Sequence, residues 1–394
     1  MKKLTVAVIF GSRSTEHDVS VVTAIASVIR PLELSGKYDV VPVYIAKDGR
    51  WYSDPKLKDI ALFSGGGLEA FLAKQTPVAV LFDQGLTLIK NGALRPQKIK
   101  VDVAFPALHG THGEDGEVMA VLELANVPYV GCDVPASVIA MDKVLAKLLV
   151  QAHNISTPKF QFFTKTDYEA NQAKWLEKIN HDPKYRLQYP LFVKPAHLGS
   201  SIGISRVTKQ AELANAIEVA LHYDSKALIE EAVPNLIEVT LPVMGNDTLM
   251  PALLEQPLLK PEDFFDFDTK YMHGGKKGKG GTGSKQGAQG YSKIPAELSP
   301  ELYERAKTLG LQVYRMLELA GTARIDMLID EKAGIVYFNE VNPLPGSLYA
   351  HNWQKAGISN VELVTRLIDL AEDRHAKRQA SATSFGTSYL QQFR

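Results

Sequence analysis

Cysteine is almost absent from this chain: Cys132 is the single one in 394 residues. One thiol rules out an intrachain disulfide and a cysteine-based zinc site, which fits a reducing compartment. Flanked by Gly131 and Asp133, it reads as inert. Net charge is missing too. Lys plus Arg and Asp plus Glu both total 44, so no global field favours nucleic acid or an anionic membrane, and any electrostatic function has to be local. Nor is there an apolar run of the roughly 18 residues that a membrane-spanning helix requires. The N-terminal MKKLTVAVIFGS ends its apolar run at a Gly-Ser turn without a small-residue cleavage site, so it reads as a first β-strand and not as a secretion signal. The expectation is a soluble, cytoplasmic protein that acts on small molecules.

What is present is apolar sequence, 45% of the chain, enough for two or three domains with cores of their own. Residues 4–130 alternate strand-like runs (LTVAVIF, DVVPVYIA, VDVAFPAL, PYVGC) with helix-like stretches at 19–30 and 117–125, the pattern of a parallel sheet covered by helices. A helix over 140–153 carries Lys143 and Lys147, and Ser156-Thr157-Pro158 breaks it. The expected division is an N-terminal parallel-sheet domain over 1–139, a small α+β domain over 140–233, an α+β domain over 234–376 and a polar tail over 377–394. The central unit rests on the strands YPLFVKP and KALIEEAV with a helix over 209–222. The third opens with EVTLPVMGN and ends in a helix over 300–320 and a β-hairpin. Its Gly/Lys-rich stretch at 273–290 admits two readings, a flexible linker or, because it lies inside a domain, an active-site lid over 264–294. Aromatics are nearly absent from it, which counts against nucleic acid as its partner.

The hairpin is the most informative element. Residues 322–329 and 335–341 flank the turn DEKAG, and alternation puts Arg324 and Asp326 on one face, Glu340 and Asn342 on one face of the partner strand. With the turn centred near Lys332, cross-strand neighbours have numbers summing to about 664 to 666, which brings Asp326 to Glu340. Two carboxylates and an amide oxygen then converge, a hard-oxygen set suited to magnesium beside nucleotide phosphates, or else a pair of solvated acids. Arg324 would face developing negative charge. In FVKPAHLGSSIGIS, Lys194 ends an apolar strand and Gly199, Ser200, Ser201 and Gly203 follow, a cation plus a loop of backbone donors that suits phosphate. The spacing is neither a Walker A loop nor a dinucleotide fingerprint. In IEEAVPNLIE, Glu230 and the backbone from Glu231 to Val233 could meet an adenine edge, and Glu238 ribose hydroxyls, or all could be ordinary surface residues. FGSRSTEHDVS places Glu16 and Ser20 on a strand-turn-helix where open α/β sheets bind ligands. LHGTHGEDG places His109 at a strand end, as ligand contact or satisfied buried histidine.

These fragments occur together, and in this order, in one family. Over about residues 4–372 the chain resembles D-alanine-D-alanine ligases of the ATP-grasp fold, through GSRSTEHDVS, FPALHGTHGEDGE, PYVGCDVPASVIAMDK, FVKPAHLGSSIGIS, FDFDTKY, ARIDM and NEVNPLPGS. The resemblance implies an α/β protein with a three-domain ATP-grasp fold whose N-terminal domain is Rossmann-like, and a homodimer without nucleic-acid or membrane partners. It implies ATP-dependent ligation of two D-alanines through an acyl phosphate, for peptidoglycan precursors, with magnesium or manganese, two ions. The nearest alternative is an ATP-grasp ligase joining a D-amino acid to another amino acid or hydroxy acid.

By the same resemblance, Lys143 and Lys194 hold nucleotide phosphates, with Ser200, Ser201, Glu230, Glu231, Val233, Glu238, Lys270 and Asn339 completing the ATP site. Asp326, Glu340 and Asn342 are metal ligands. Glu16 anchors the first substrate's ammonium near His109, Ser20 and Ser200, while Arg324 and the Gly346 N–H stabilise the oxyanion. Lys270 and Tyr271 form the lid pair that accompanies an amine second substrate, and Ser347 and Leu348 hold the second carboxylate. The chain departs from the family pattern in three places. PLPGSLYAHNW is about four residues shorter between Gly346 and Ser347, the lid after Tyr271 is longer with Phe265 for the commoner Tyr, and the turn before Glu238 is about one residue longer.

Overall fold

The computed structural model describes residues 3–83, 85–90, 95–258, 292–382, 386 and 388–393. Strand β1 (Leu4–Gly11) pairs in parallel with β2 (Tyr38–Ile45), and β3 (Trp51–Tyr52) closes that edge antiparallel. A meander of β4 (Ala79–Phe82), β5 (Leu86–Lys90) and β6 (Gln97–Val101) then precedes β7 (Val103–Pro106), which pairs in parallel with the other side of β1. Val6 to Phe10 are inaccessible on both faces, as a central parallel strand requires. The run PYVGC contributes one parallel bridge, Ala104 to Tyr129, in place of a strand. Pro128 has no N–H to donate and Gly131 turns the chain with φ +103°, so pairing cannot propagate in either direction.

The chain's two ends share one core. The helical stretch from His17 to Ser35 packs Val21, Ile25, Val28 and Leu32 against Leu363, Val364, Leu367 and Ile368 of the C-terminal helix Asn360–Gln379. Those four repeat at three- and four-residue spacing, the apolar stripe of an amphipathic helix. Ser359 caps that helix by accepting the Glu362 N–H at 3.2 Å. The first stretch is interrupted by a π-helical turn over Thr23–Ile29, a wider coil that often marks functional positions.

A second sheet is antiparallel: β8 (Phe160–Thr164), β9 (Leu191–Pro195), β10 (Ser205–Val207) and β11 (Lys226–Glu231), in the order β10-β9-β11-β8. Leu191, Val193, Ala227 and Ile229 bury against the helix Leu213–Tyr223. The opposite face carries Lys194, Leu228 and Glu230 toward the helix Lys143–Ala152. The third sheet begins with β12 (Leu236–Gly245) and β13 (Leu249–Pro251); β14 (Gln256–Pro257) and β15 (Ser292–Lys293) form a separate short ribbon. Strands β16 (Gly321–Asp330) and β17 (Ile335–Asn342) complete it in the order β13-β12-β16-β17. Its apolar face packs on the helix Pro300–Met316, leaving Thr240, Arg324, Asp326 and Glu340 on the other.

One glycine decides where β1 can end. Gly11 has φ +96°, and a Cβ there would overlap the Ile45 carbonyl oxygen and crowd the Tyr44 ring. Its N–H is pinned by Ser20 Oγ at 2.8 Å. Gly11→Ala should therefore destabilise the chain by at least about 2 kcal/mol, seen as a lower urea midpoint with an unchanged slope.

Candidate functional site

The hairpin has the register that its turn sequence implies: Arg324 lies opposite Asn342, and Asp326 opposite Glu340. Next to that pair the ladder slips, because Met327 pairs with Phe338 and leaves Asn339 as an extra residue. Such a bulge turns two successive side chains away from the core. Asn339 and Glu340 are accordingly both half-buried, between the buried Phe338 and Val341. Asn339 Oδ1 lies 3.5 Å from Lys194 Nζ, which joins the second sheet to the third.

Asp326 is gripped from several sides. Arg324 donates Nε to one oxygen at 2.8 Å and Nη2 to the other at 2.7 Å, the parallel fork of a strong guanidinium-carboxylate pair. Thr240 donates its hydroxyl, and Asn342 its amide nitrogen at 3.1 Å, which spares the amide oxygen. Burial disfavours the charge on Arg324, but Asp326 outweighs it and raises its pKa further. The guanidinium also lies 5.1 Å above the Tyr349 ring.

Lysines face this cluster from two elements. Asp142 caps the helix Lys143–Ala152 through the Val144 and Leu145 N–H groups, and Lys143, the first residue of that helix, reaches Glu340 at 3.1 Å and the Leu198 carbonyl at 2.7 Å. One turn further, the inaccessible Lys147 stands 3.0 Å from Glu230 Oε2, an ion pair off the line of a hydrogen bond. Lys194 Nζ donates to the other Glu230 oxygen. Burial works to raise the Glu230 pKa, but Lys147 and Lys194 together hold it below the usual range. For Glu340 burial is again the largest influence, and Lys143, Lys194 and Arg324 override it, so the carboxyl stays ionised.

The first sheet supplies the remaining wall. Ser200 donates its hydroxyl to the buried Glu16. Thr23, opening the π-helical turn, lies 2.8 Å from His109 Nε2 and accepts the Ser347 N–H at 2.9 Å. Burial first, with Arg324 adding to it, pushes His109 down to about 4, which keeps it neutral. Glu114 accepts the Gly110 N–H at 2.9 Å and the Leu344 N–H at 3.3 Å. Burial, and then Glu16, raise its pKa. Two loops here hold non-glycine residues at positive φ, Ser200 and Ser201 in one and Ser347, Leu348 and Tyr349 in the other. Strain of this kind persists only where neighbours over-determine the conformation.

Of the residues singled out in the sequence, Lys143, Lys194, Glu230, Arg324, Asp326, Asn339, Glu340 and Asn342 form one continuous seam, and Glu16, Ser200, His109 and Ser347 stand along its wall. Gly346 begins the turn Gly346–Tyr349, close to Val19. Others sit further back. Ser20 is inaccessible, accepting the Gly11 N–H and donating to the Ala107 carbonyl at 2.6 Å. The Leu348 side chain lies in the first core and its N–H bonds to the Pro345 carbonyl. Glu231 accepts the Gln188 N–H at 2.9 Å, Val233 is half-buried after β11, and Glu238 lies on the Thr240 face of β12. Lys270, Tyr271 and Phe265, with the lid up to residue 291, lie outside the described residues. Lys147, Thr23, Glu114, Thr240 and Tyr349 were not singled out as site residues; only Lys147 carried a signal, its place one helical turn after Lys143.

Solved structures share this architecture. A D-alanine-D-alanine ligase from Coxiella burnetii superposes with TM-score 0.76 at 25% identity, covering 96% of this chain and 97% of that one. The VanG D-Ala:D-Ser ligase from Enterococcus faecalis does so with TM-score 0.73 at 31% identity, covering 94% and 100%. The fold and its seam of lysines and carboxylates define an ATP-dependent, ADP-forming ligase of ATP-grasp architecture. Residues 5–132 match the D-ala D-ala ligase N-terminus and residues 149–369 the D-ala D-ala ligase C-terminus. A D-alanine–D-alanine ligase from Chlorobium phaeovibrioides (strain DSM 265 / 1930) is 38% identical over 383 residues, 94% of this chain and 98% of the relative. One from Acetivibrio thermocellus is 36% identical over 389 residues, 95% and 97%. The chain belongs to the D-alanine–D-alanine ligase family.

Removing one partner of a buried ion pair leaves the other uncompensated. Glu230→Leu, which takes from the buried Lys147 its ion-pair partner, should therefore cost about 3–5 kcal/mol in urea denaturation, far more than a substitution at an exposed glutamate.

Proposed function

We propose that this chain transfers the terminal phosphoryl group of ATP to the carboxylate of one D-alanine and joins the resulting acyl group to the amine of a second. Phosphate leaves, and D-alanyl-D-alanine is the product, a peptidoglycan precursor. The observation that carries this is the meeting of Lys143 and Lys194, from two different elements, at the hairpin that bears Glu340 and the Arg324-forked Asp326. Residues 1–139 are assigned to substrate binding, and 140–233 and 234–376 to the two halves that hold ATP.

Lys143 and Lys194 would neutralise nucleotide phosphates, and the 199–203 loop would offer its N–H groups and the hydroxyls of Ser200 and Ser201. The Glu230 carboxylate is engaged with two lysines, so adenine recognition falls to the backbone from Glu231 to Val233, with Glu238 for the ribose. Asp326, Glu340 and Asn342 fit a divalent cation: they present hard oxygens from one face of a hairpin, and Glu340 is held ionised. Magnesium or manganese bound there, as two ions, supplies charge neutralisation to the transferred phosphoryl group. Arg324, fixed by Asp326 and by the Tyr349 ring, and the Gly346 N–H would stabilise the tetrahedral oxyanion. Glu16 takes the first ammonium, Ser200 orients Glu16, and neutral His109 stands beside them. Lys270 and Tyr271 would close the site over an amine nucleophile. No helix among the described residues is long and apolar enough to cross a membrane; the proposed setting is the cytoplasm and the proposed assembly a homodimer.

A second reading differs only in the amine. The segment carrying Ser347 and Leu348 is shorter than the family pattern, and a D-Ala:D-Ser ligase is among the structural neighbours. Phosphate release with ATP, magnesium and a panel of D-alanine, D-serine and D-lactate separates the two. Turnover with D-alanine alone is expected; release that requires a second, different acid would replace this reading with the other. Glu340→Gln should lower ligation about a hundredfold or more while leaving far-UV circular dichroism intact. Unchanged turnover in that variant would remove the metal role.

A further inference from the structure

His197 was passed over in the sequence, yet the structure holds it between two carboxylates. Its backbone N–H donates to Asp224 Oδ2 at 2.7 Å, and its ring Nδ1 lies 2.9 Å from Asp224 Oδ1. On the other side, Nε2 lies 3.2 Å from Asp142 Oδ2. Both ring nitrogens thus face carboxylates, and a carboxylate accepts but does not donate, so the arrangement is satisfied only when both nitrogens carry protons. Lys226 donates to the same Asp142 oxygen. Two carboxylates, one ammonium and one imidazolium make a neutral group; a neutral imidazole would leave a net negative charge, with Asp142 and Asp224 almost fully buried, their side chains 5% and 6% exposed.

The neighbours of His197 are tied to the same place. The carbonyl of Ala196 accepts the Lys143 N–H at 3.0 Å, that of Leu198 accepts the Lys143 ammonium at 2.7 Å, and the Ala196 N–H donates to the Lys226 carbonyl at 3.0 Å. Asp142 meanwhile caps the helix that starts with Lys143. Three consecutive residues are bound to one helix start immediately before Ser200 and Ser201, whose φ of +53° and +60° needs such support.

We propose that His197 is a positioning residue: clamped as an imidazolium between Asp142 and Asp224, it locks the 199–203 loop onto the first turn of the helix Lys143–Ala152 and so sets how tightly that loop holds nucleotide phosphate. This rests on the assignment of the loop to ATP phosphates made above. The titratable groups facing the ring are Asp142 from the helix start and Asp224 from the turn before β11, with Lys226 of β11 reaching it through Asp142. Asp142 and then Asp224 push His197 up to about 9, against the effect of burial. A raised pKa means that the clamp is complete below the ordinary value of about 6.5 and is lost as pH rises through about 9.

Calorimetric titration of the full chain with MgADP from pH 7.5 to 10 tests this without depending on ligation. The wild type should lose about tenfold in affinity between pH 8 and pH 10. His197→Gln should be weaker by a similar factor already at pH 7.5 and flat across the range, and Asp224→Asn should lose its affinity at lower pH than the wild type, while the KM for D-alanine stays within about twofold in both. Nitrogen-15 histidine NMR of the wild type adds a readout that no variant's folding can spoil: one imidazole should remain doubly protonated up to about pH 9. A wild-type profile shared by His197→Gln, or all ten histidines neutral at pH 8, would overturn the proposal. Wild-type protein that binds MgADP with this pH profile but releases no phosphate with D-alanine would sink the ligase reading and leave the clamp standing.

Discussion

A buried charge must be met by an opposite one, and much of this molecule is arranged around that constraint. Lys143, Lys147 and Lys194 are all withdrawn from solvent, and each would cost several kcal/mol if it faced only apolar neighbours. Glu230 answers two of them and Glu340 the third, while Asp326 answers Arg324. Since these residues come from a helix, from the second sheet and from the third, satisfying the charges obliges the three elements to meet. The seam is therefore a specification of the assembly as well as the candidate site. Among these seven groups cations outnumber carboxylates by four to three, a local surplus in a chain whose overall charge is zero, and a surplus that suits an anionic nucleotide.

The first sheet joins this assembly through hydrogen bonds to backbone. Thr23 and Glu114 each hold an N–H of the segment after β17, at Ser347 and Leu344. The C-terminal helix covers the N-terminal helical stretch, so the segment between β17 and that helix is fixed at both ends. That tethering explains how Ser347, Leu348 and Tyr349 can all stay left-handed, and why Tyr349 can present its ring to Arg324. The wall that carries Glu16 and His109 is thereby held against the seam that carries the lysines.

Legibility in the sequence followed the range of the interaction. The pairing of Asp326 with Glu340 was readable because a short turn determines hairpin register. The slip that follows was not: a strict period of two places Asn339 in the core, and only the bulge, which depends on packing of Phe338 and Val341, turns it toward Lys194. Lys194 and Glu230 were both singled out, but their direct contact was not readable, because it depends on the antiparallel pairing of β9 with β11 across 36 residues of chain. Ser20 and Leu348 show the reverse case. Their positions invite a substrate role, and folding commits both side chains to the interior.

Taken alone, the amino-acid order determined the class of fold, the hairpin with its acids and arginine, the lysine at the end of β9 and the family to which these pieces belong. Each of those is carried by local periodicity, by turn length or by motif order. Only the tertiary structure decided that Lys147 is a buried partner of Glu230, that Thr23 and Glu114 tie two distant loops, and that His197 sits between two carboxylates. These are contacts between elements far apart in the chain, and their energies depend on burial and on the nearest opposite charge, neither of which exists until the sheets have packed.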